Sequence, residues 1–589
     1  MTSGRLDPQV LEAIREQGLA LHQAGRLDEA ERCYDKVLKR NPKHFGALHL
    51  LGLIRMQTGR AEQAVELLKR AVRLNPNDPA AQGSLGAALS GTGCHEAALA
   101  RYDRAIALQP GLAGVHYNRA VALQSLMRPA EALASLDAAI ALDPGNAGAH
   151  HNRGSALVAL GRPEDALASY DRAIALKPDH AEAFCNRGLA LKLMHRTKEA
   201  LASYDIAIAL APNHAPAHNN RGSALEVLGR PEEALASYDR AIALQPGYAE
   251  AFANRGLVLR ILRRLDEALA SYEAAIALDP GNVDAHLGKS FLLLLTGQFE
   301  SGWREYEWRK ATWGPVSPLE PARAWTGEGD LAGKRLLLQG EQGLGDTLQF
   351  ARYVPLLVDR GIAVTLCVQT SLVSLLGASL PGVSVIAEGE PPPQFDWHCA
   401  LMSLPLGLAV TPPPPLRLDA SARRADWAAR LGPKTRPRVG LAWSGNPNHF
   451  SDHNRSIEFD QLTPLLGEDV EWVAIQNGVR ASDAEAFAAS GRVAFFGEAL
   501  GDFADTAALV EQMDLVICVD TSLAHLAAAL GKPTWILLQY APDWRWMLDC
   551  ADSHWYPTVR LFRQPALGDW ANVIADVRTA LRSSADLLA

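Results

Sequence analysis

The run Pro163-Glu-Asp-Ala-Leu-Ala-Ser-Tyr-Asp-Arg-Ala-Ile-Ala-Leu176 decides how the first half of the chain folds. Its apolar residues recur at three and four (Ala166, Leu167, Tyr170, Ala173, Ile174), which puts one packed stripe on a helix, and Ala166 and Ala173 let a neighbouring helix approach closely. Runs of this kind return. Prolines stand at 42, 76, 110, 144, 178, 212, 246 and 280, each 34 residues after the last. Turn positions keep the same spacing: Gly25-Arg26, Gly59-Arg60, Gly93, Arg128, Gly161-Arg162, Arg196, Gly229-Arg230 and Arg264. Each unit therefore holds two helices around a turn. Units this small bury their apolar faces by stacking on one another.

The 34-residue period, the small-residue positions and the terminal proline resemble the tetratricopeptide repeat, over eight units from about Val10 to Pro280 with an atypical ninth, Gly281 to Trp313. The resemblance implies an α-solenoid, a superhelix whose first helices line the inner surface. Asn118, Asn152, Asn186, Asn220 and Asn254 recur there 34 apart, and a carboxamide can bond both N–H and C=O of an extended peptide. The ladder is similar to the one lining the O-linked N-acetylglucosamine transferases. Sequence-tolerant peptide capture and simple helix packing are both open for it. Arg153, Arg187, Arg221 and Arg255 read as a solvated ridge.

A chain of 589 residues, 48% hydrophobic and 21% charged, holds several globular domains rather than disorder or collagen. The 57 Lys+Arg against 66 Asp+Glu leave a formal charge of -9, so no global basic field favours nucleic acid. Seven scattered cysteines without Cys-x-x-Cys suggest neither a disulfide framework nor a zinc knuckle, and fit a reducing cytoplasm. Residues 1–25 carry charges and no apolar run, unlike a signal peptide. The uncharged stretch Gly361 to Ala387 is broken by Gly377, Pro381 and Gly382 and reads as strand, helix, strand, so no membrane span is expected.

Past the aromatic ending Trp303 to Arg309, which reads as a cap on the solenoid, the pattern becomes β/α. Arg335 to Gln339 reads as a strand, Gly340-Glu-Gln-Gly343-Leu-Gly345-Asp346 as a glycine loop, Thr347 to Arg360 as one amphipathic helix and Ala363 to Val368 as a second strand. The spacing is G-x-x-G-x-G and Gln369 stands where a dinucleotide fold has an acid, so a nicotinamide cofactor is not expected; no Gly-Lys-Ser/Thr follows for a P-loop. Proline tracts at 391–393 and 412–415 precede a new α/β unit at Val439-Gly-Leu-Ala-Trp443-Ser-Gly445. It continues through strands Trp472 to Ile475, Leu515 to Val519 and Thr534 to Leu538, with a helix near Asp505 to Gln512. The aromatic runs Asp543 to Trp546 and His554 to Pro557 follow what reads as the last strand and suit either stacking on a base or sugar or wedging helices.

Between two of these strands stands Asp520-Thr521-Ser522-Leu-Ala-His525-Leu-Ala-Ala-Ala-Leu-Gly-Lys-Pro533, which resembles the signature of the ADP-heptose lipopolysaccharide heptosyltransferases, glycosyltransferase family nine, with serine where glycine is usual. Gly345-Asp346 at the start of the first helix matches that family, and more loosely so does the basic residue of Asn454-Arg455-Ser456. The similarity covers about Lys334 to Leu581. It implies a GT-B domain of two Rossmann-like halves, with Asp346 as general base and Arg455, Asp520, Thr521, Ser522 and His525 holding a nucleotide-sugar donor. Gly343 and Gly345 would shape the loop beside them. The join to repeats is similar to soluble bacterial tetratricopeptide glycosyltransferases, including those that modify flagellin.

The residues agree with that implication. A helix opening at Thr521 presents free N–H groups where a phosphate leaving group can sit. No Asp-x-Asp occurs after Lys334, so metal independence and no cofactor are expected, with an inverting displacement at Asp346. Each residue also has a plainer reading, Asp346 and Asp520 to Ser522 as caps and His525 as a satisfied core histidine. His449 and His453 flank Asp452 at a spacing open to a metal, but the Gly/Pro/Asn setting favours a substrate loop. The expected layout is repeats over 1–313, a linker over 314–333, an acceptor-side half over 334–415, a linker over 416–436 and a donor-side half over 437–589. Because the acceptor half is short, the expected acceptor is Ser or Thr of a protein delivered by the repeats, flagellin-like by the architectural resemblance. A noncatalytic scaffold and a heptosyltransferase-like enzyme acting on a glycan or lipid are the alternatives. The resemblances conflict on the donor, a nucleoside diphosphate sugar or a nonulosonic acid on cytidine monophosphate.

Overall fold

The computed structural model describes residues 8–313, 323–329, 331–447 and 452–583. The chain forms two compact units, divided at Pro246/Gly247, inside the repeat array. The first unit is helical throughout. Its seven helix pairs run from Pro8–Gln23 and Leu27–Arg40 to Ala215–Val227 and Pro231–Leu244. The α-solenoid expected from the period is therefore what forms.

Two features of the repeat sequence set this geometry. The turn residue after each first helix is left-handed: Gly161 has φ +71°, and Arg162 N–H returns to Leu157 O at 2.9 Å, closing the helix end. Met127 and His195 occupy the same position with φ 56° and 57°, a conformation that costs side-chain-bearing residues energy. The second feature is a glycine under a tyrosine. A Cβ on Gly154, Gly188 or Gly222 would lie 2.5–2.7 Å from the ring of Tyr170, Tyr204 or Tyr238, and these rings are buried. The two helices of a repeat can approach closely only because that position is bare.

The arginine positions are not a solvated ridge. Arg153 Nε donates to Asp137 Oδ1 and Nη1 to Ser169 Oγ, both at 2.7 Å, which ties the second helix of the preceding repeat to the second helix of its own. Arg187 and Arg221 repeat the staple with Asp171/Ser203 and Asp205/Ser237. The correction follows from spacing: the Asp lies 16 residues before each Arg and the Ser 16 after, a relation that a search for neighbours along one helix face misses.

The second unit opens with one more regular pair, Ala249–Ile261 and Leu265–Leu278, then α1 (Val283–Leu295) and α2 (Phe299–Tyr306). Trp303 and Tyr306 of α2 share a buried core with the first sheet, and Trp303 Nε1 donates to Thr411 Oγ1 at 2.9 Å. The first sheet has four parallel strands, β1 (Arg335–Gln339), β2 (Ala363–Val368), β3 (Ser384–Ala387) and β4 (Trp397–Ala400), in the order β3-β2-β1-β4. The second has six, also parallel: β5 (Arg438–Ala442), β6 (Glu471–Ala474), β7 (Val493–Phe495), β8 (Leu515–Val519), β9 (Thr534–Leu538) and β10 (Val559–Arg563). Their order is β10-β9-β8-β5-β6-β7. The central strands β5, β8 and β9 are buried along their whole length, as parallel strands covered on both faces require.

Two sequence expectations change. The single helix over Thr347 to Arg360 is α3 (Leu344–Phe350), a 3-10 turn and a second short helix, Val354–Val358, because Pro355 has no N–H to continue the ladder. The aromatic runs do not follow the last strand; β10 comes after both. Between the sheets, residues 424–431 form a helix with Trp427 buried. Among the described residues no helix is long and apolar enough to cross a membrane.

Candidate functional site

The strand order locates a crevice before any side chain is considered. From β5 the chain runs outward through β6 and β7, then returns to the other side of β5 as β8 and continues to β9 and β10. The order reverses between β5 and β8, and at such a reversal the loops leaving the carboxyl ends part and open a ligand crevice. One wall is Trp443-Ser444-Gly445 after β5; the other is Asp520-Thr521 after β8, leading into α4 (Ser522–Ala529). Thr521 caps that helix, its hydroxyl accepting Leu523 N–H at 3.3 Å.

Arg455 lies across the reversal, its Nη1 donating to Asp520 O at 3.1 Å. It also passes against Gly445, where a Cβ would meet its Nη2 at 2.8 Å. Gly445 N–H donates to Ser456 Oγ at 3.0 Å. Asp520 is half-buried, and desolvation together with nearby Asp543 raises its carboxyl to about 6.

α3 faces this wall. A Cβ on Gly345 would lie 2.9 Å from His525 Cδ2 and 3.3 Å from Ser522 Cα, so the glycine loop reaches α4 only because position 345 is bare. Gln342, in the same loop, is left-handed with φ 63°. Asp346 follows at the third position of α3: its Oδ2 accepts Gly343 N–H at 2.8 Å, and its Oδ1 pairs with Arg545 Nη2. Burial outweighs the arginine and holds the Asp346 carboxyl above its usual range. Arg545 is 8% exposed and fully engaged, with Nε on Gln349 Oε1 at 2.6 Å, Nη1 on Asp543 Oδ1 at 2.8 Å and its guanidinium 4.2 Å from the centre of the Trp544 ring.

His525 is 4% exposed, its Nδ1 bonded to Tyr556 Oη at 3.0 Å and its ring stacked on Trp546 at 5.4 Å. Burial, with Arg545 and Arg352 nearby, pushes its pKa well below the ordinary histidine value. A neutral imidazole offers a donor a hydrogen bond rather than a charge.

The solenoid end is wired into the same loop. Arg309, 1% exposed, pairs with buried Glu341 through Nη2–Oε1 at 2.7 Å and Nε–Oε2 at 3.0 Å, and Glu341 also accepts Met402 N–H at 3.1 Å. Tyr306 Oη donates to Gln342 Oε1 at 3.1 Å. Trp303 and Trp544 meet edge to face at 5.1 Å.

The sequence singled out Asp346, Arg455, Asp520, Thr521, Ser522, His525, Gly343 and Gly345, and the structure brings them together around the start of α4. It adds Arg545, Gln349 and Arg480. Arg545 was visible only as a filler between tryptophans, and its partner Asp346 lies 199 positions away. His449 lies outside the described residues, as does the side chain of His453. Among the described residues no cluster of three or more His, Cys, Asp or Glu is arranged to hold a metal.

The asparagine ladder is half-buried along the first helices of the repeats. Asn152 Nδ2 donates to Tyr117 Oη at 3.2 Å, Asn186 Nδ2 meets His151 Nε2 at 2.8 Å, and Asn220 Nδ2 reaches Cys185 Sγ at 3.6 Å. Each amide thus bonds the residue just before the ladder asparagine of the preceding repeat.

Residues 500–543, from the helix before β8 to the start of the arginine-bearing turn, match the family model for glycosyltransferase family 9 (heptosyltransferase). Tetratricopeptide repeat models match 15–79, 85–147, 194–249, 228–283 and 253–301, and a related one matches 154–194. The chain joins tetratricopeptide repeats to a glycosyltransferase family 9 segment. Protein FlbA of Caulobacter vibrioides is 31% identical over 336 residues, 50% of this chain. The chain spans about half of FlbA, 54% of its length. Solved structures similar to part of the chain include MamA, 27% identical over 30% of this chain and 96% of that one, with a TM-score of 0.27. Another is YrrB, a tetratricopeptide protein with an unusual peptide-binding site, 28% identical over 32% of this chain and 96% of that one, with a TM-score of 0.28.

Proposed function

We propose that this chain is a cytoplasmic glycosyltransferase that moves a sugar from a nucleotide-sugar donor to Ser or Thr of a polypeptide held by the repeats, with inversion and without a metal or cofactor. The observation that carries this reading is the strand-order reversal between β5 and β8, spanned by Arg455 and faced by the helix that bears Asp346. A donor phosphate lies against Arg455 and the start of α4, with Thr521 and Ser522 at its edge, and the nucleotide extends along the second sheet. Asp520 and His525 contact the sugar side.

In the reaction the acceptor oxygen attacks the anomeric carbon, the bond from that carbon to the phosphate oxygen breaks, and the phosphate leaves with the electron pair. Asp346 takes the hydroxyl proton. Gly343 N–H and Arg545 hold its two oxygens in place, each leaving lone-pair capacity for that proton. The repeats supply local concentration, so the cleft needs little recognition of sequence around the acceptor. With Nδ2 engaged by the preceding repeat, Asn152, Asn186 and Asn220 offer Oδ1 to peptide N–H groups.

The test is the thermal shift of the full chain against CMP, UDP, GDP, ADP and dTDP in the presence of EDTA, followed by transfer assays with the sugar nucleotide of the base that stabilises. One nucleotide is expected to stabilise wild type and not Arg455→Ala, while Asp346→Ala binds it but transfers no sugar. No stabilisation by any nucleotide favours the scaffold alternative, and wild-type transfer by Asp346→Ala removes it as the base.

A further inference from the structure

The aromatic run His554 to Pro557, open in sequence to stacking or wedging, supplies Tyr556 to the surroundings of His525. Tyr556 is 3% exposed, and its Oη and His525 Nδ1 share one hydrogen bond at 3.0 Å. Among the described residues neither side chain meets a further hydrogen-bonding partner. Which of the two supplies the shared proton therefore sets what His525 presents at Nε2.

Two arrangements are open. The imidazole is neutral, because burial and the cations Arg545 and Arg352 press its pKa well below the ordinary value, so only one of its nitrogens carries a hydrogen. Tyr556 keeps its proton: burial lifts the phenol to about 12, with Arg352 and Arg545 pulling down and Asp346 pushing up. If Nδ1–H donated to Tyr556, the phenol O–H would stay buried without an acceptor, and Nε2 would be a bare lone pair. If Tyr556 donates to Nδ1, the phenol is satisfied and the hydrogen of His525 sits on Nε2. Each arrangement leaves one donor unpaired within the protein, and they differ in where it points. The Nε2 edge faces the glycine loop, since a Cβ on Gly345 would lie 2.9 Å from His525 Cδ2 and 3.6 Å from Nε2. A donor there is paired once an oxygen of a substrate arrives beside Asp346, whereas the phenol O–H would remain unpaired in every state, which buried donors rarely do.

Arg352 tips the balance the same way. Its guanidinium lies 4.9 Å from the centre of the Tyr556 ring, and a cation there makes the phenol the better donor. Arg352 is itself 3% exposed and donates from Nη1 to Trp555 O at 2.8 Å, and no acid pairs with it among the described residues.

We infer that Tyr556 is a positioning residue for the transfer: its O–H, given to Nδ1, holds His525 as the Nε2–H tautomer and so presents a hydrogen-bond donor to an oxygen of the donor sugar beside the glycine loop. The inference rests on the nucleotide-sugar reading of the site, and its test separates the two.

NMR of the full chain labelled with 15N-histidine reports the tautomer of each ring with no substrate present, and His525→Gln identifies the His525 signal by its loss. Wild type is expected to carry the hydrogen on Nε2, and Tyr556→Phe to raise the Nδ1–H share about fivefold, the worth of one hydrogen bond. A wild-type hydrogen on Nδ1, or a share unchanged in Tyr556→Phe, overturns the inference and leaves the nucleotide-sugar reading standing. The kinetic readout is release of nucleotide from the CMP-, UDP-, GDP-, ADP- or dTDP-sugar whose nucleotide stabilises the chain. His525→Gln, whose amide N–H falls near the place of Nε2–H, is expected to turn over at least about tenfold faster than His525→Asn, whose amide falls near Nδ1. Tyr556→Phe is expected to lower kcat about fivefold in the wild-type background and less than about twofold beside His525→Gln, because Tyr556 acts through the imidazole. Equal rates in the Gln and Asn variants, or equal losses from Tyr556→Phe in both backgrounds, overturn the inference alone. Turnover of no nucleotide sugar by wild type overturns both readings. Should Tyr556→Phe fail to fold, the wild-type tautomer and the Gln/Asn comparison carry the test with the same outcomes.

Discussion

Replacing Arg545 by Met strands an acid in a buried place, and the structure says how that acid should respond. Asp346 keeps 18% side-chain exposure and has Arg545 as its one cationic partner among the described residues, so the loss belongs at the low end for a broken buried pair, about 3 kcal/mol. In a unit of this size that is a fall of roughly 4 °C in melting temperature. The pH dependence has a definite sign. Burial already raises the folded-state pKa of Asp346 above its ordinary 3.8, so the folded protein binds this proton more tightly than the unfolded chain does. Stability from that proton is complete below the unfolded value and is lost as pH rises through the folded one. Removing the guanidinium raises the folded pKa further, so the deficit of Arg545→Met should be smaller at pH 5 than at pH 8. Asp543 and Asp520 lie in the same neighbourhood, and Tyr306 and Glu341 face it from the solenoid end and the loop, so pH alone does not isolate Asp346. The double variant Asp346→Asn/Arg545→Met does: it should recover at least about 1 kcal/mol of the loss and flatten the pH dependence. Melting curves of the four proteins at the two pH values decide the matter. Equal losses in Arg545→Met and the double variant, or a deficit that does not change with pH, would refute the claim that this pair is what keeps Asp346 charged.

Two further outcomes follow from packing. Gly188→Ala places a methyl 2.5 Å from the Tyr204 ring, so it should destabilise the first unit by about 1–3 kcal/mol in denaturant unfolding, and Tyr204→Leu in the same chain should return part of that loss. Arg309→Met leaves Glu341 buried without its cation, and amide exchange over residues 340–346 should quicken relative to β8 and β9; unchanged exchange there would mean that the solenoid end does not hold the glycine loop.

The repeats were legible because each unit writes its own constraints locally: a proline ends it, a left-handed residue turns it, and an alanine or glycine stands wherever a helix must come close. The parallel sheets were nearly as legible, since short apolar runs between glycine turns leave few alternatives. Pro355 was the local exception, a residue whose missing N–H breaks a helix that hydrophobic spacing alone draws as continuous. The signature residues could be named from resemblance, but their relations could not. Nothing near Asp346 in sequence announces Arg545, because that pair is made by the order of strands rather than by spacing along an element.

That contrast bears on how repeats and cleft work together. Trp303, Tyr306 and Arg309 sit at the end of the array, where the sequence suggests a cap, yet they touch Trp544, Gln342 and Glu341, the neighbours of Arg545 and the loop of Asp346. A cap whose task was only to shield the last repeat from water would present polar residues outward. Here buried Arg309 spends its charge on a glutamate of the glycine loop, and buried Trp303 covers the tryptophan against which Arg545 lies. The last repeat is therefore part of the wall that fixes the position of Asp346. A chain cut after the repeats would lose that wall from its second half, and a second half expressed without residues 283–313 should leave the glycine loop unsupported.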